Sequence, residues 1–174
     1  MQDARYYHHP DERSFDATVT GCRDYKDGLF AVILSDTLFY PEGGGQPGDT
    51  GTLSGVRVTD TRLSGDEIIH VCEAELPIGQ TVHGELDWER RFRHMQCHTG
   101  EHIFSGIAHE LYGCNNVGFH LSRDCVTIDF DRVLTPEQLA EVERQTNEAV
   151  FADVPTVISY PDENALHTLD YRSK

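Results

Sequence analysis

Between Phe15 and Leu86 the chain alternates apolar and polar positions in short runs. Phe15, Ala17 and Val19 recur at period two, as do Val56 with Val58; apolar runs fill 29–34 and 68–72, and Val82 and Leu86 close the series. Period two is the signature of a half-buried strand, and a short unbroken apolar run that of a strand covered on both faces. Lys26-Asp27-Gly28, the glycine-rich stretch 43–51, Ser64-Gly65-Asp66 and Pro77-Ile78-Gly79 supply the turns between them. Short strands at this spacing predict a small β-barrel or sandwich.

The period then changes. Trp88, Phe92, Met95, Thr99, Ile103, Ile107 and Leu111 recur at steps of three and four. They predict an amphipathic helix over 87–113 with that stripe inward, Asp87 as N-cap and Gly113 as the stop. Val126, Ile128 and Phe130 predict a further strand. Thr135-Pro136-Glu137-Gln138 reads as a capping box with proline in the first turn. It opens a helix with Leu139, Val142, Thr146, Ala149 and Val150 inward; Pro155 ends it, and one more strand is expected over 156–160. The boundary falls near Glu85, giving a β-barrel domain over 1–85 and an α+β domain over 86–174. The fold class is therefore α+β: a small N-terminal β-barrel, then a long helix packed on an antiparallel sheet.

Composition narrows the setting. A chain of 174 residues, 38% apolar and 25% charged, is long enough to bury a core and is not of disordered type. No apolar run reaches membrane-spanning length and the start carries no signal-like segment, so a cytoplasmic protein without a membrane partner is expected. Five dispersed cysteines without a C-x-x-C argue against a disulfide framework or a zinc ribbon. A net charge of −16 argues against a general DNA or RNA binder, because a strongly acidic surface repels the phosphate backbone. Any RNA contact must be local, and the densest basic cluster is Arg90, Arg91, Arg93 and His94. Arg91 and Arg93 also lie four residues after Asp87 and Glu89, the spacing of solvated ion pairs along a helix.

Two stretches carry candidate chemistry. His98 and His102 lie four apart on the predicted helix, so both imidazoles reach one ion, and His94 extends the stripe by a turn. Two half-buried histidines bonded to carbonyls would fit the same spacing. Gly43, Gly44 and Gly45 stand between Pro41-Glu42 and Gln46-Pro47. Consecutive glycines let backbone amides approach a ligand closely, though a bulged connection at a barrel rim would also use them. No G-K-[ST] follows, so this is not a phosphate loop.

Thr37-Leu38-Phe39-Tyr40-Pro41-Glu42-Gly43-Gly44-Gly45-Gln46-Pro47, followed by Arg90-Arg91 and His98-Thr99-Gly100-Glu101-His102, resembles the alanyl-tRNA editing family. That family comprises the editing domain of alanyl-tRNA synthetase and its free-standing relatives, and the likeness covers nearly the whole chain. It implies a small barrel followed by an α+β editing domain. It also implies a zinc-dependent hydrolase that removes wrongly attached serine or glycine from the acceptor end of tRNA(Ala). Carried over by position, His98 and His102 would hold zinc and Thr37 would face the amino-acid pocket. Gly43, Gly44, Gly45 and Gln46 would line that pocket, with Gln46 and Thr37 in catalysis and Arg90 and Arg91 on the substrate.

One departure stands out. The family completes its zinc site with a later Cys-x-x-x-His pair, and no such pair follows His102. The resemblance therefore implies a chain cut before that pair, lacking two ligands and inactive in this form. Cys97, His120, Cys125 and His167 are the other donors, none at the family spacing. Two rival readings remain. His-x-x-Glu-His is also the inverted zinc-peptidase pattern, with Glu101 as base and Glu141 or Glu148 as third ligand. A metal-free module that binds tRNA or a synthetase is the other. Oligomeric state and the choice between serine and glycine are not legible.

Overall fold

A computed structural model describes residues 4–122, 125–155, 157, 159 and 161–169. After a short helix α1 (Arg5–His8), six strands close into an antiparallel barrel: β1 (Ser14–Asp24), β2 (Phe30–Leu34), β3 (Gly51–Leu53), β4 (Val56–Ser64), β5 (Glu67–Cys72) and β6 (Thr81–Leu86). Neighbours around the barrel run β1-β2-β5-β4-β3-β6, and β1 pairs with both β2 and β6, which removes any open edge. Phe15, Ala17 and Val19 of β1 and Val82 and Leu86 of β6 point inward, as their alternation predicts. The long connection over 35–50 is no surface loop, because Leu38 and Phe39 are fully buried in the barrel core.

Helix α2 (Trp88–Tyr112) follows at once and stops at Gly113, whose φ of +63° suits glycine. Its bounds agree with the hydrophobic period, but its buried face does not. Phe92 is 46% exposed, Thr99 and Leu111 are exposed too, and the buried positions are Arg91, His94, Glu101, Ser105 and Ala108. The inward stripe is thus offset from the predicted one and mostly polar. It is tolerated because its charged members are paired, Arg91 with Asp49 and Glu101 with Ser105 and Asn116. The expected pairs of Asp87 with Arg91 and Glu89 with Arg93 do not form among the described residues. Asp87 instead accepts from Arg57 at 2.5 and 3.0 Å and from Thr50. The Arg57 guanidinium holds the Asp87 carboxyl below its ordinary range.

Beyond Gly113, β7 (Asn116–Leu121) and β8 (Val126–Phe130) make a two-stranded sheet, and α3 (Pro136–Phe151) follows. The α3 start is the predicted capping box: Gln138 N–H donates to Thr135 Oγ1, and Thr135 N–H to Gln138 Oε1. Of its predicted inward stripe only Val142 is fully buried, packed with Ala108 and Cys114, while Leu139 and Val150 are exposed. Thr156, Ile158 and Tyr160, three of the five residues of the expected last strand, lie outside the described residues. The chain divides into two compact units, Met1–His98 with His120–Val126, and Thr99–Phe119 with Thr127–Lys174. Among the described residues no helix is long and apolar enough to cross a membrane.

Candidate active site

The glycine run closes as a two-residue turn. Gly43 N–H donates to Gln46 C=O at 3.1 Å and Gln46 N–H returns to Gly43 C=O at 3.0 Å. Gly44 and Gly45 between them have φ of +58° and +79°, a pair of positive values that a tight turn of this hand demands. Gly43's amide is thereby used, and the amides of Gly44 and Gly45 are the two that donate to no backbone acceptor among the described residues. Gly48 serves differently. A Cβ there would lie 2.0 Å from the Thr61 carbonyl oxygen, so only glycine lets the two backbones pass.

Helix α2 bolts this loop to the barrel. Arg91, only 4% exposed, donates through Nε and Nη2 to Asp49, through Nη2 to Leu38 C=O at 2.6 Å and through Nη1 to Pro10 C=O at 3.3 Å. Arg90 Nη1 donates to Gly48 C=O at 2.7 Å, and burial lowers its pKa. Both arginines expected at the substrate thus spend these donors on the loop that carries the glycines. Asp49 also takes the Tyr40 N–H at 2.7 Å.

The turn and the first histidine meet. Gln46, buried, places its Oε1 3.0 Å from His98 Nδ1, and a Cβ at Gly44 would touch His98 Cε1 at 3.6 Å. An amide oxygen only accepts, so Nδ1 carries the ring proton and the lone pair falls on Nε2, the atom a metal takes. Glu101 and His102 follow within the next turn of the same helix, and one donor atom from each of His98, Glu101 and His102 lies within 4.8 Å of the others. Two imidazoles and a carboxylate are a donor set that suits zinc. Glu101 was not among the expected ligands, although its place three after His98 in His-x-x-Glu-His is the signal for it. Its buried carboxylate accepts from Ser105 Oγ and Asn116 Nδ2 and stands 3.7 Å from His102 Nδ1. None of Cys97, His120, Cys125 or His167 joins this cluster among the described residues.

Thr37 lies early in the connection between β2 and β3. It lines a recess of about 310 Å³ with Ser35, Asp36 and His70. His70 Nδ1 faces Val32 C=O at 3.0 Å and must donate, so its Nε2 accepts from Thr37 Oγ1 at 2.8 Å. Thr37 Oγ1 in turn accepts the Phe39 N–H at 3.0 Å, which leaves one lone pair. Full burial pushes the His70 pKa down to about 4 and keeps the ring neutral. Sequence reasoning had no sign of His70 or Asp49, because their partners lie 33 and 42 residues away.

The family model described as tRNA synthetases class II (A) matches residues 3–90. Alanyl-tRNA editing protein AlaX-L of Pyrococcus horikoshii is 37% identical over 177 residues, 95% of this chain and 44% of its own length. Alanyl-tRNA editing protein Aarsd1 of Danio rerio is 36% identical, over 84% of this chain and 39% of its own. An alanine–tRNA ligase of Pyrobaculum arsenaticum is 37% identical over 91% of this chain and 18% of the ligase. The chain spans less than half the length of each of these relatives.

Proposed function

This chain belongs to the class II (A) tRNA synthetase family, and on that premise we propose that it acts in tRNA editing, as a hydrolase that deacylates seryl- or glycyl-tRNA(Ala) at a zinc site held by His98 and His102. The observation that carries the reading is the 3.0 Å contact between Gln46 and His98, which joins the glycine turn to the candidate ligand. When bound, the metal would supply a Lewis acid for the ester carbonyl or a water of lowered pKa. This chain's residues do the rest. Gln46 holds the His98 proton at Nδ1 and so orients the ring. The Gly44 and Gly45 amides are available to an oxygen that gains charge as the ester opens. Arg90 and Arg91 keep that turn in place.

Alanine must be spared, and it differs from serine by one hydroxyl. A site with a buried polar atom waiting for that hydroxyl rejects the analogue lacking it by about 10⁴–10⁵. The remaining lone pair of Thr37 is the proposed partner. A peptidase reading is less well supported. Glu101 is buried and bracketed by Ser105 and Asn116, and Glu141 and Glu148 both pair with Arg144.

The test is metal titration of the purified chain alongside hydrolysis of seryl- and glycyl-tRNA(Ala). Gln46→Leu removes the acceptor for His98 Nδ1–H and lowers zinc affinity by about 10–100-fold, while Gln46→Glu retains it. Equal affinity in Gln46→Leu and the parent would remove His98 from the metal.

A further inference from the structure

His70 is fully buried on β5, opposite Val32 of β2. Its ring is held on three sides. Nδ1 lies 3.0 Å from Val32 C=O, Nε2 lies 2.8 Å from Thr37 Oγ1, and the Phe39 ring meets it edge-on at 5.3 Å. A carbonyl oxygen has no proton to give, so the Val32 contact decides the tautomer: Nδ1–H donates and Nε2 keeps its lone pair. Burial brings the pKa down to about 4 and keeps the ring neutral, so no second proton reverses this at neutral pH.

The polarity passes on to Thr37. A hydroxyl has one proton and two lone pairs. The proton goes to His70 Nε2, and one lone pair takes the Phe39 N–H at 3.0 Å. What Thr37 still offers is a lone pair and nothing else. With the opposite histidine tautomer the same oxygen would accept from the ring and keep its proton for a ligand. A threonine by itself can serve either way; here the residue that removes the choice stands 33 positions along the chain. Both side chains line the recess of about 310 Å³. A ligand O–H given to Thr37 would extend a row of bonds that all point toward Val32 C=O, and bonds aligned in this way strengthen one another.

We propose that His70 is a specificity-determining positioning residue: it makes the Thr37 hydroxyl an acceptor only, so the recess selects a ligand side chain that donates an O–H. The inference rests on Thr37 as the proposed partner of the serine hydroxyl, and it adds a demand on the ligand that size alone would not impose. 3-Fluoroalanine is close to serine in size but carries no proton at that position, and its fluorine would face the Thr37 lone pair. It is rejected as alanine is, whereas a recess that reads only size admits it.

Nitrogen-15 NMR of the imidazoles, with His70 assigned by its loss in His70→Gln, should place the ring proton on Nδ1; a proton on Nε2 would overturn the proposal. Amide-linked seryl-adenosine and 3-fluoroalanyl-adenosine, which resist hydrolysis, are then titrated calorimetrically. The seryl form should bind at least about 10-fold more tightly. Equal affinity, or no saturable binding of either, would refute the assignment. His70→Leu removes the acceptor and frees the Thr37 proton, and should bring the two affinities to within about threefold of each other. His70→Gln turns its amide N–H toward Val32 and its oxygen toward Thr37, and should restore the preference, which a ring needed only to fill space would not predict. A His70→Gln variant without the preference, or a His70→Leu variant that keeps it, would count equally against the proposal. Should His70→Leu fail to fold, the parent's two ligands and His70→Gln still decide. Hydrolysis is read separately, on tRNA(Ala) carrying serine or 3-fluoroalanine. A preference in binding without hydrolysis of seryl-tRNA leaves the role of His70 standing and removes the editing reaction; equal hydrolysis of both substrates leaves the reaction and removes the role.

Discussion

The Arg91–Asp49 pair is the strut on which the site hangs, and it can be cut from either side. Both side chains are almost wholly buried, and Arg91 also donates to the carbonyls of Leu38 and Pro10. Arg91→Met removes the guanidinium and leaves a carboxylate without counter-charge inside the barrel. Stranding one member of a buried ion pair costs about 3–5 kcal/mol. For a chain of this length each kcal/mol lowers the melting temperature by about 2–4 °C, so a drop of about 6–20 °C is expected. Asp49→Leu should cost a similar amount, since it strands the guanidinium and gives up the Tyr40 N–H. The informative variant is the double one. With both charges gone the desolvation penalty disappears, so Arg91→Met with Asp49→Leu should be no less stable than either single variant. Urea unfolding followed by Trp88 fluorescence measures all four species. If the single costs simply add, within about 0.5 kcal/mol, the two groups do not act as a pair and the account of the strut fails.

Two further predictions concern the barrel interior. The His70 pKa near 4 in the folded chain lies below its ordinary 6.5, so the unfolded chain takes the proton first as pH falls. The stability is complete above about pH 6.5, declines by at most about 1.4 kcal/mol per pH unit, and the loss levels off near pH 4; His70→Gln should flatten the melting-temperature profile across that window, and an unchanged slope would show the ring already protonated or exposed. Thr37→Val strands Phe39 N–H and His70 Nε2 and should cost about 1–3 kcal/mol, while Thr37→Ser should stay close to the parent. If Thr37→Val still edits seryl-tRNA and spares alanyl-tRNA as the parent does, the recess around Thr37 is not on the substrate path.

The barrel was legible because its strands bury one face against the core, and burial of alternate residues writes period two directly into the chain. The end of α2 was legible for an equally local reason, the positive φ that Gly113 accepts. The inward face of α2 was not, because its buried residues are polar and their counterparts are remote. Arg91 reads as a surface residue until Asp49 is brought beside it, and Glu101 until Asn116 is. The glycine run was read as a place where backbone meets ligand, and two of its three members turn out to be needed for the turn itself. It lies against His98 through Gln46, and Thr37 bonds His70, a pairing no local pattern announces.

Arg90 and Arg91 are neighbours in the chain, yet they reach Gly48 and Asp49 from adjacent points on the helical circumference. Successive residues on a helix are separated by about 100° of rotation, so two such tethers leave α2 one azimuth only. The direction in which its histidines point is therefore set by an ion pair and a hydrogen bond to a carbonyl rather than by greasy contacts. Any attempt to orient this helix from hydrophobicity alone would swing His98 away from the glutamine that aims it.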